Sequence, residues 1–250
     1  MELFKSGNPT LNEKVFQNAG VASGEAMTER GTLNKFFFMS LMLMVSASFA
    51  WSAFYHGKDI TAWIYGGAIA GFIVALVITF KREWAAYLSP VYALLEGLFI
   101  GGLSAIVNNA FAKTYPGIVT QAVLLTFGVV IAMFFLYRFK IIKATQKFKA
   151  VVISATMGIA VFYLLAWVLR MFSIDIPFLH EGSGLGIIFS LIVIAVAALN
   201  LILDFDMVEQ GVTMGAPKYM EWYCAFGLMV TIVWLYLEIL RLLMKIASKR

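Results

Sequence analysis

Four acids stand inside long apolar runs of this chain. Glu96 lies in LLEGLFIGG, Asp204 and Asp206 in LNLILDFDMVEQG, and Glu238 in VWLYLEILRLL. An ionised side chain at the centre of a helix in hydrocarbon costs roughly +2.5 to +3.5 kcal/mol on insertion scales. Such groups persist where they face a protein interior, pair with a cation or with each other, or pass ions and protons. Carboxylate oxygens suit hard cations such as Ca²⁺. Spaced along a bundle, they can hand a cation on without any one site trapping it. At about 1.5 Å per residue, Glu96 falls near the middle of the third apolar run. Asp204 and Asp206 fall at the cytoplasmic end of the sixth, and Glu238 on the outer half of the seventh. These positions read as a ladder of acids, with Asp204 and Glu96 as candidate Ca²⁺ ligands. Two of the carboxyls, if close enough to share a proton, would form a pH-sensitive latch.

Each acid also has a plainer reading. Asp204 and Asp206 could mark the point where the sixth run meets water, although Asp204 has Asn200 one turn earlier on its own face. Glu238 could simply pair with Arg241 at i+3. Glu96 could be a neutral acid bonded inside the bundle. Glu209 and Glu221 border the sixth connection and are expected to be solvated. Arg170 ends the fifth run, where it could snorkel outward or close the outer side by pairing with Glu238. Arg170 and Arg241 are therefore the candidate latch cations.

The elements that must position these groups are apolar and long. Of 250 residues, 62% are hydrophobic and 13% charged. A soluble domain is nearer about 45–50% apolar and about 25% charged. The apolar excess arrives in seven segments, over 36–55, 61–80, 84–107, 117–137, 150–172, 185–206 and 221–246. Each is long enough to cross about 30 Å of hydrocarbon as a helix. The runs are continuous and rich in Leu, Ile and Ala, without the period-2 alternation of barrel strands. The expected fold is all-α, a polytopic membrane protein with a seven-helix bundle over 34–250. Residues 1–33 are expected to be a cytoplasmic polar tail, with no signal-peptide pattern and a weak amphipathic stretch around Leu11–Phe16.

Lys and Arg set the expected orientation. Lys5, Lys14, Arg30, Lys35, Lys81, Arg82, the run Arg138, Lys140, Lys143, Lys147 and Lys149, and Lys218 fall on one side. Lys58 and Lys113, with Arg170 near a helix end, fall on the other. The positive-inside rule then places the N-terminus in the cytoplasm. Seven crossings put Lys245, Lys249 and Arg250 outside, against that rule, and a full seventh crossing is the expectation. The net charge of +5 is explained by topology and anionic headgroups, so nucleic acid is not an expected partner. The bilayer is.

Gly67–Gly71 and Gly97–Gly101 have the GxxxG spacing that lets helices approach closely. Pro90 is expected to kink or start the third helix. Catalytic readings find little support. His56 and His180 lie in outer loops, Gly182-Ser183-Gly184 has no histidine partner, and no His/Cys set suits zinc. Lys245 is too near the end of its run for a retinal lysine. The single Cys224 excludes an internal disulfide, and no enzyme activity or bound cofactor is expected.

The LLEGLFIGG run, the sixth-helix ending LILDFDMVEQG, the following GAPKYMEWY and the closing LYLEILRLL resemble the Bax inhibitor-1 / YccA-like family, the transmembrane Bax inhibitor motif proteins, in a bacterial branch. The resemblance covers essentially the whole chain after residue 33. It implies a bundle wrapped around a central last helix. It also implies a pH-sensitive calcium leak controlled by one acid on the sixth helix and one on the seventh. Asp204 matches the former, and Glu96 matches an acid of the early helices. LYLEI resembles the family's LYLDF, which assigns the second acid to Glu238. The interval from Asp204 is longer than in the family, however, and an ungapped count falls near Met229, which does not titrate. Asp206 or Glu221 could substitute, or the latch could be absent. The expected function is a passive, pH-sensitive cation leak, for Ca²⁺, in the bacterial inner membrane. The alternative is a membrane scaffold that binds a membrane protease or other complex, without transport, through the tail and the basic 138–149 loop.

Overall fold

The computed structural model describes residues 25–172 and 183–249. Among them run seven long helices: α1 (Glu29–Tyr55), α2 (Thr61–Phe80), α3 (Ala85–Ala110), α4 (Ile118–Arg138), α5 (Gln146–Met171), α6 (Gly184–Thr213) and α7 (Met220–Ala247). A short 3₁₀ turn at Arg82–Trp84 leads into α3. All seven helices are long and apolar enough to cross a membrane, and no strand occurs among the described residues beyond a single bridge between Ala26 and Pro217. The fold is the expected all-α polytopic one. The expected amphipathic stretch at 11–16 and His180 lie outside the described residues.

Local chemistry explains the helix ends. Thr28 caps α1, its hydroxyl accepting from the Gly31 amide at 2.9 Å; α1 therefore starts at Glu29, inside the segment expected as tail. Thr145 caps α5 by accepting from Phe148, which draws Lys147 and Lys149 out of the expected basic loop and into the first turns. Asp59 accepts from the Thr61 amide at 2.9 Å where α2 begins. α6 runs past its expected end at 206 to Thr213. It stops where Gly215 takes φ +66°, with Ala216 N–H donating to Gly211 O and Gly215 N–H to Val212 O. This is the Schellman arrangement, for which glycine is favoured because it has no Cβ to clash.

The chain forms two compact units. One comprises the described residues 25–110 with 206–230, and the other 111–205 with 231–249; α6 and α7 each contribute to both. In the first unit α3 packs against α1 and α2. Both GxxxG pairs are used. A Cβ on Gly67 would fall 2.6 Å from Leu95 O, so α2 crosses α3 backbone to backbone. A Cβ on Gly97 or Gly101 would collide with the α1 backbone at Leu43 or Ala47. Ser46 seals the same crossing by donating to Leu94 O at 2.6 Å. Small residues produce this closeness because lipid supplies no hydrophobic drive between helices, leaving packing to do it.

In the second unit, polar and aromatic contacts tie α6 to its neighbours. Asn200 donates to Thr156 Oγ1 of α5 at 2.8 Å. Phe162 of α5 meets Phe189 at 5.0 Å, and Phe134 of α4 meets Phe205 edge-on at 5.6 Å. The outward faces stay apolar: Leu124 and Ile131 on α4, and Val161, Leu164 and Trp167 on α5, are exposed. A soluble helix would hide such a face; a spanning helix presents it to lipid. Only 6% of the apolar window of α5 is buried, against 67% for α7, the most enclosed of the spans. The last helix is thus the most buried of the seven described spans.

Candidate functional site

Glu96 lies near the middle of α3 and is 8% exposed. Tyr92, one turn earlier on the same face, bonds its carboxylate. Tyr92 is itself buried and packs edge-on against Phe226 of α7 at 4.9 Å. The carboxylate reaches toward α2 at Gly71, where a Cβ would stand 3.2 Å from Oε2. The absent side chain at Gly71 is therefore part of what makes room for an acid here. Glu96 needed no distant residue to be satisfied, and the i−4 tyrosine was readable from spacing.

Asp204 and Asp206 are not at a helix end, contrary to the sequence expectation. The segment VEQGVT continues α6 beyond them, so both sit within the helix. Residues two apart do not share a helix face, and the two acids differ accordingly. Asp204 is fully buried, among Leu201, Ile202, Leu203 and Met207 of its own helix, all nearly inaccessible. Asp206 is half-buried and accepts from Gln210 Nε2 at 2.5 Å. The water-interface reading of Asp204 is thereby removed.

Glu238 of α7 is 2% exposed and belongs to a cluster with Arg241, Tyr163 and Trp234. Arg241 Nη1 donates to its Oε1 at 2.8 Å and to the Tyr163 hydroxyl of α5 at 2.5 Å. That hydroxyl lies 3.1 and 3.2 Å from the two carboxylate oxygens, to which it donates. The guanidinium also stands over the Tyr163 ring, 5.0 Å from its centroid, a cation–π placement. The i+3 pairing of Glu238 with Arg241 is as the sequence reads. Arg170 is exposed and forms no ion pair with Glu238, whose cation is Arg241. Nothing in the sequence singled out Tyr163.

Two further charged groups were misplaced from sequence. Lys245 is 3% exposed and lies inside α7, donating to Gly186 O at 3.0 Å and to Ser190 Oγ at 2.9 Å near the start of α6. It is a packed residue, not part of a charged tail. Glu221 is fully buried rather than solvated, because Thr28 and Lys35 close over it at the first turn of α7. Glu209, by contrast, is exposed as expected.

Among the described residues no group of three or more His, Cys, Asp or Glu side chains could hold a metal ion. Glu96 is set beside an uncharged tyrosine and Glu238 beside a tyrosine and a guanidinium. Such groups can attract a cation, exchange a proton, or hold a helix contact. No curated protein and no solved structure matches the chain. The family model described as Bax inhibitor 1 like matches residues 8–248, and with seven apolar helices carrying these buried acids, the chain belongs to the Bax inhibitor 1 like family of membrane proteins.

Proposed function

We propose that this protein is a passive cation leak, for Ca²⁺, set by pH, in the bacterial inner membrane with its N-terminus in the cytoplasm. The observation that carries this reading is Asp204, a carboxyl with no exposed surface inside an apolar spanning helix. A group so costly to place in hydrocarbon has a use there. Ionised, it attracts a cation and the water that accompanies it; protonated, it offers neither charge nor anionic ligand. Proton exchange at Asp204 would thus switch the path. In the unit that holds Asp204, Glu238 supplies a further carboxylate, held in place by the Tyr163–Arg241 pair; in the other unit Glu96 is held by Tyr92. No covalent chemistry and no resident cofactor is required, and Ca²⁺ is cargo.

The test is Ca²⁺ entry into proteoliposomes loaded with an indicator, measured from acid to alkaline pH. Asp204→Asn is expected to flatten the pH dependence while leaving the protein folded. Flux identical to the parent at every pH would remove Asp204 from the mechanism. Parent vesicles that pass no cation at any pH would leave the scaffold reading in its place.

A further inference from the structure

The residues just before α1 are fastened to the turn between α6 and α7. The Met27 amide donates to Ala216 O at 2.7 Å and the Lys218 amide to Glu25 O at 3.1 Å, flanking the Ala26–Pro217 bridge. Lys218 Nζ lies 3.4 Å from both Glu25 and Glu221. At the centre is the buried Glu221 carboxylate. Its Oε1 accepts from the Thr28 amide at 2.8 Å and from the Thr28 hydroxyl at 3.0 Å, and its Oε2 accepts from Lys35 Nζ. Thr28 does double duty, since the same hydroxyl caps α1 at Gly31. A Cβ at Gly31 would fall on the Glu221 carboxylate, so the glycine leaves room for it. Met27 is buried beneath the contact, and the Lys35 ammonium lies 5.5 Å from the centroid of the Trp222 ring.

One buried side chain therefore holds both the start of α1 and the start of α7. We propose that residues 25–35 form a strap locked by Glu221, and that unfastening it opens the cation path. This inference rests on the leak reading above. The direction follows from linkage. The strap contacts exist in the state in which Asp204 is fully buried, so they stabilise that state against any more open one that lacks them. Glu221→Gln keeps an acceptor for Thr28 but removes the charge that Lys35 and Lys218 face. Bonds to charged groups are the stronger ones, so the strap loses most of its hold.

The experiment uses the full chain, with amide hydrogen exchange and Ca²⁺ flux measured on the same preparations at one pH. In Glu221→Gln, exchange at the Met27, Thr28 and Lys218 amides is expected to speed up by about tenfold or more. Amides of α4 and α5 should be unchanged, and flux should rise severalfold. Lys35→Met provides a second variant should Glu221→Gln fold poorly, with a smaller change in the same direction. Unchanged exchange in both folded variants overturns the strap. Faster exchange without greater flux, in a protein whose parent conducts, overturns its regulatory role and spares the leak. A parent that conducts nothing overturns the leak reading, and this regulatory role with it.

Discussion

Removing Arg241 should cost more than removing Glu238, although the two form one ion pair. The asymmetry comes from burial. The Glu238 side chain is 2% exposed and the Arg241 side chain 38%. Arg241→Met leaves a carboxylate enclosed with only hydrogen bonds from Tyr163 and Trp234 and the more distant Lys245 charge to serve it. Orphaning a buried charge costs about 3–5 kcal/mol in soluble proteins. Tyr163 retains its bonds to both oxygens, and polar contacts measured inside membrane proteins are weaker, averaging about 0.6 kcal/mol. The expected loss is thus about 2–3 kcal/mol. Glu238→Gln leaves a guanidinium that is already 38% exposed and still meets an amide oxygen, a loss of about 0.5–1 kcal/mol on the scale of exposed pairs. The sharper consequence concerns the double variant. Once Arg241 is gone, neutralising Glu238 relieves the stranded charge, so Arg241→Met/Glu238→Gln should be more stable than Arg241→Met alone. Unfolding of the four proteins in mixed micelles, followed by helical circular dichroism, measures all terms of this cycle. Single losses that simply add, or a Glu238→Gln loss equal to that of Arg241→Met, would refute the reasoning.

Two more expectations concern folding. Gly101→Ala should destabilise by about 1–3 kcal/mol, because its Cβ meets Ala47 backbone that cannot step aside, whereas Gly128→Ala meets nothing and should stabilise by up to about 1 kcal/mol; the same unfolding assay separates them. At the loop between α1 and α2, the Thr61 amide and hydroxyl hold the exposed Asp59 carboxyl below its ordinary range. The contact is therefore fully present above the ordinary carboxylate range and is lost as pH falls through the lowered value. Exchange of the Thr61 amide against pH should show this protection, and Asp59→Ala should abolish it at every pH.

The spans were legible because hydrocarbon imposes a length and an apolar composition that few other elements share. α2 occupies the expected 61–80, and the two GxxxG pairs face α3 and α1 as their spacing suggests. Glu238 and Arg241 were legible as a pair because i+3 places them side by side. For Glu221 and Lys245 the missing term was a partner distant in sequence. Glu221 looks solvated beside Pro217 and Lys218 until Thr28 and Lys35 arrive from the other end of the chain. Lys245 looks like a tail charge until Ser190 and Gly186 receive it. Asp204 and Asp206 looked like a helix end because polarity usually marks one, and only the glycine at 215 shows where α6 actually stops.

Lys245 has a consequence for how its two helices depend on each other. An enclosed ammonium group is a penalty to a helix standing alone in lipid. The groups that relieve it, the Gly186 carbonyl and the Ser190 hydroxyl, belong to α6, not to α7. The end of α7 and the start of α6 are therefore matched, and neither satisfies its polar groups without the other.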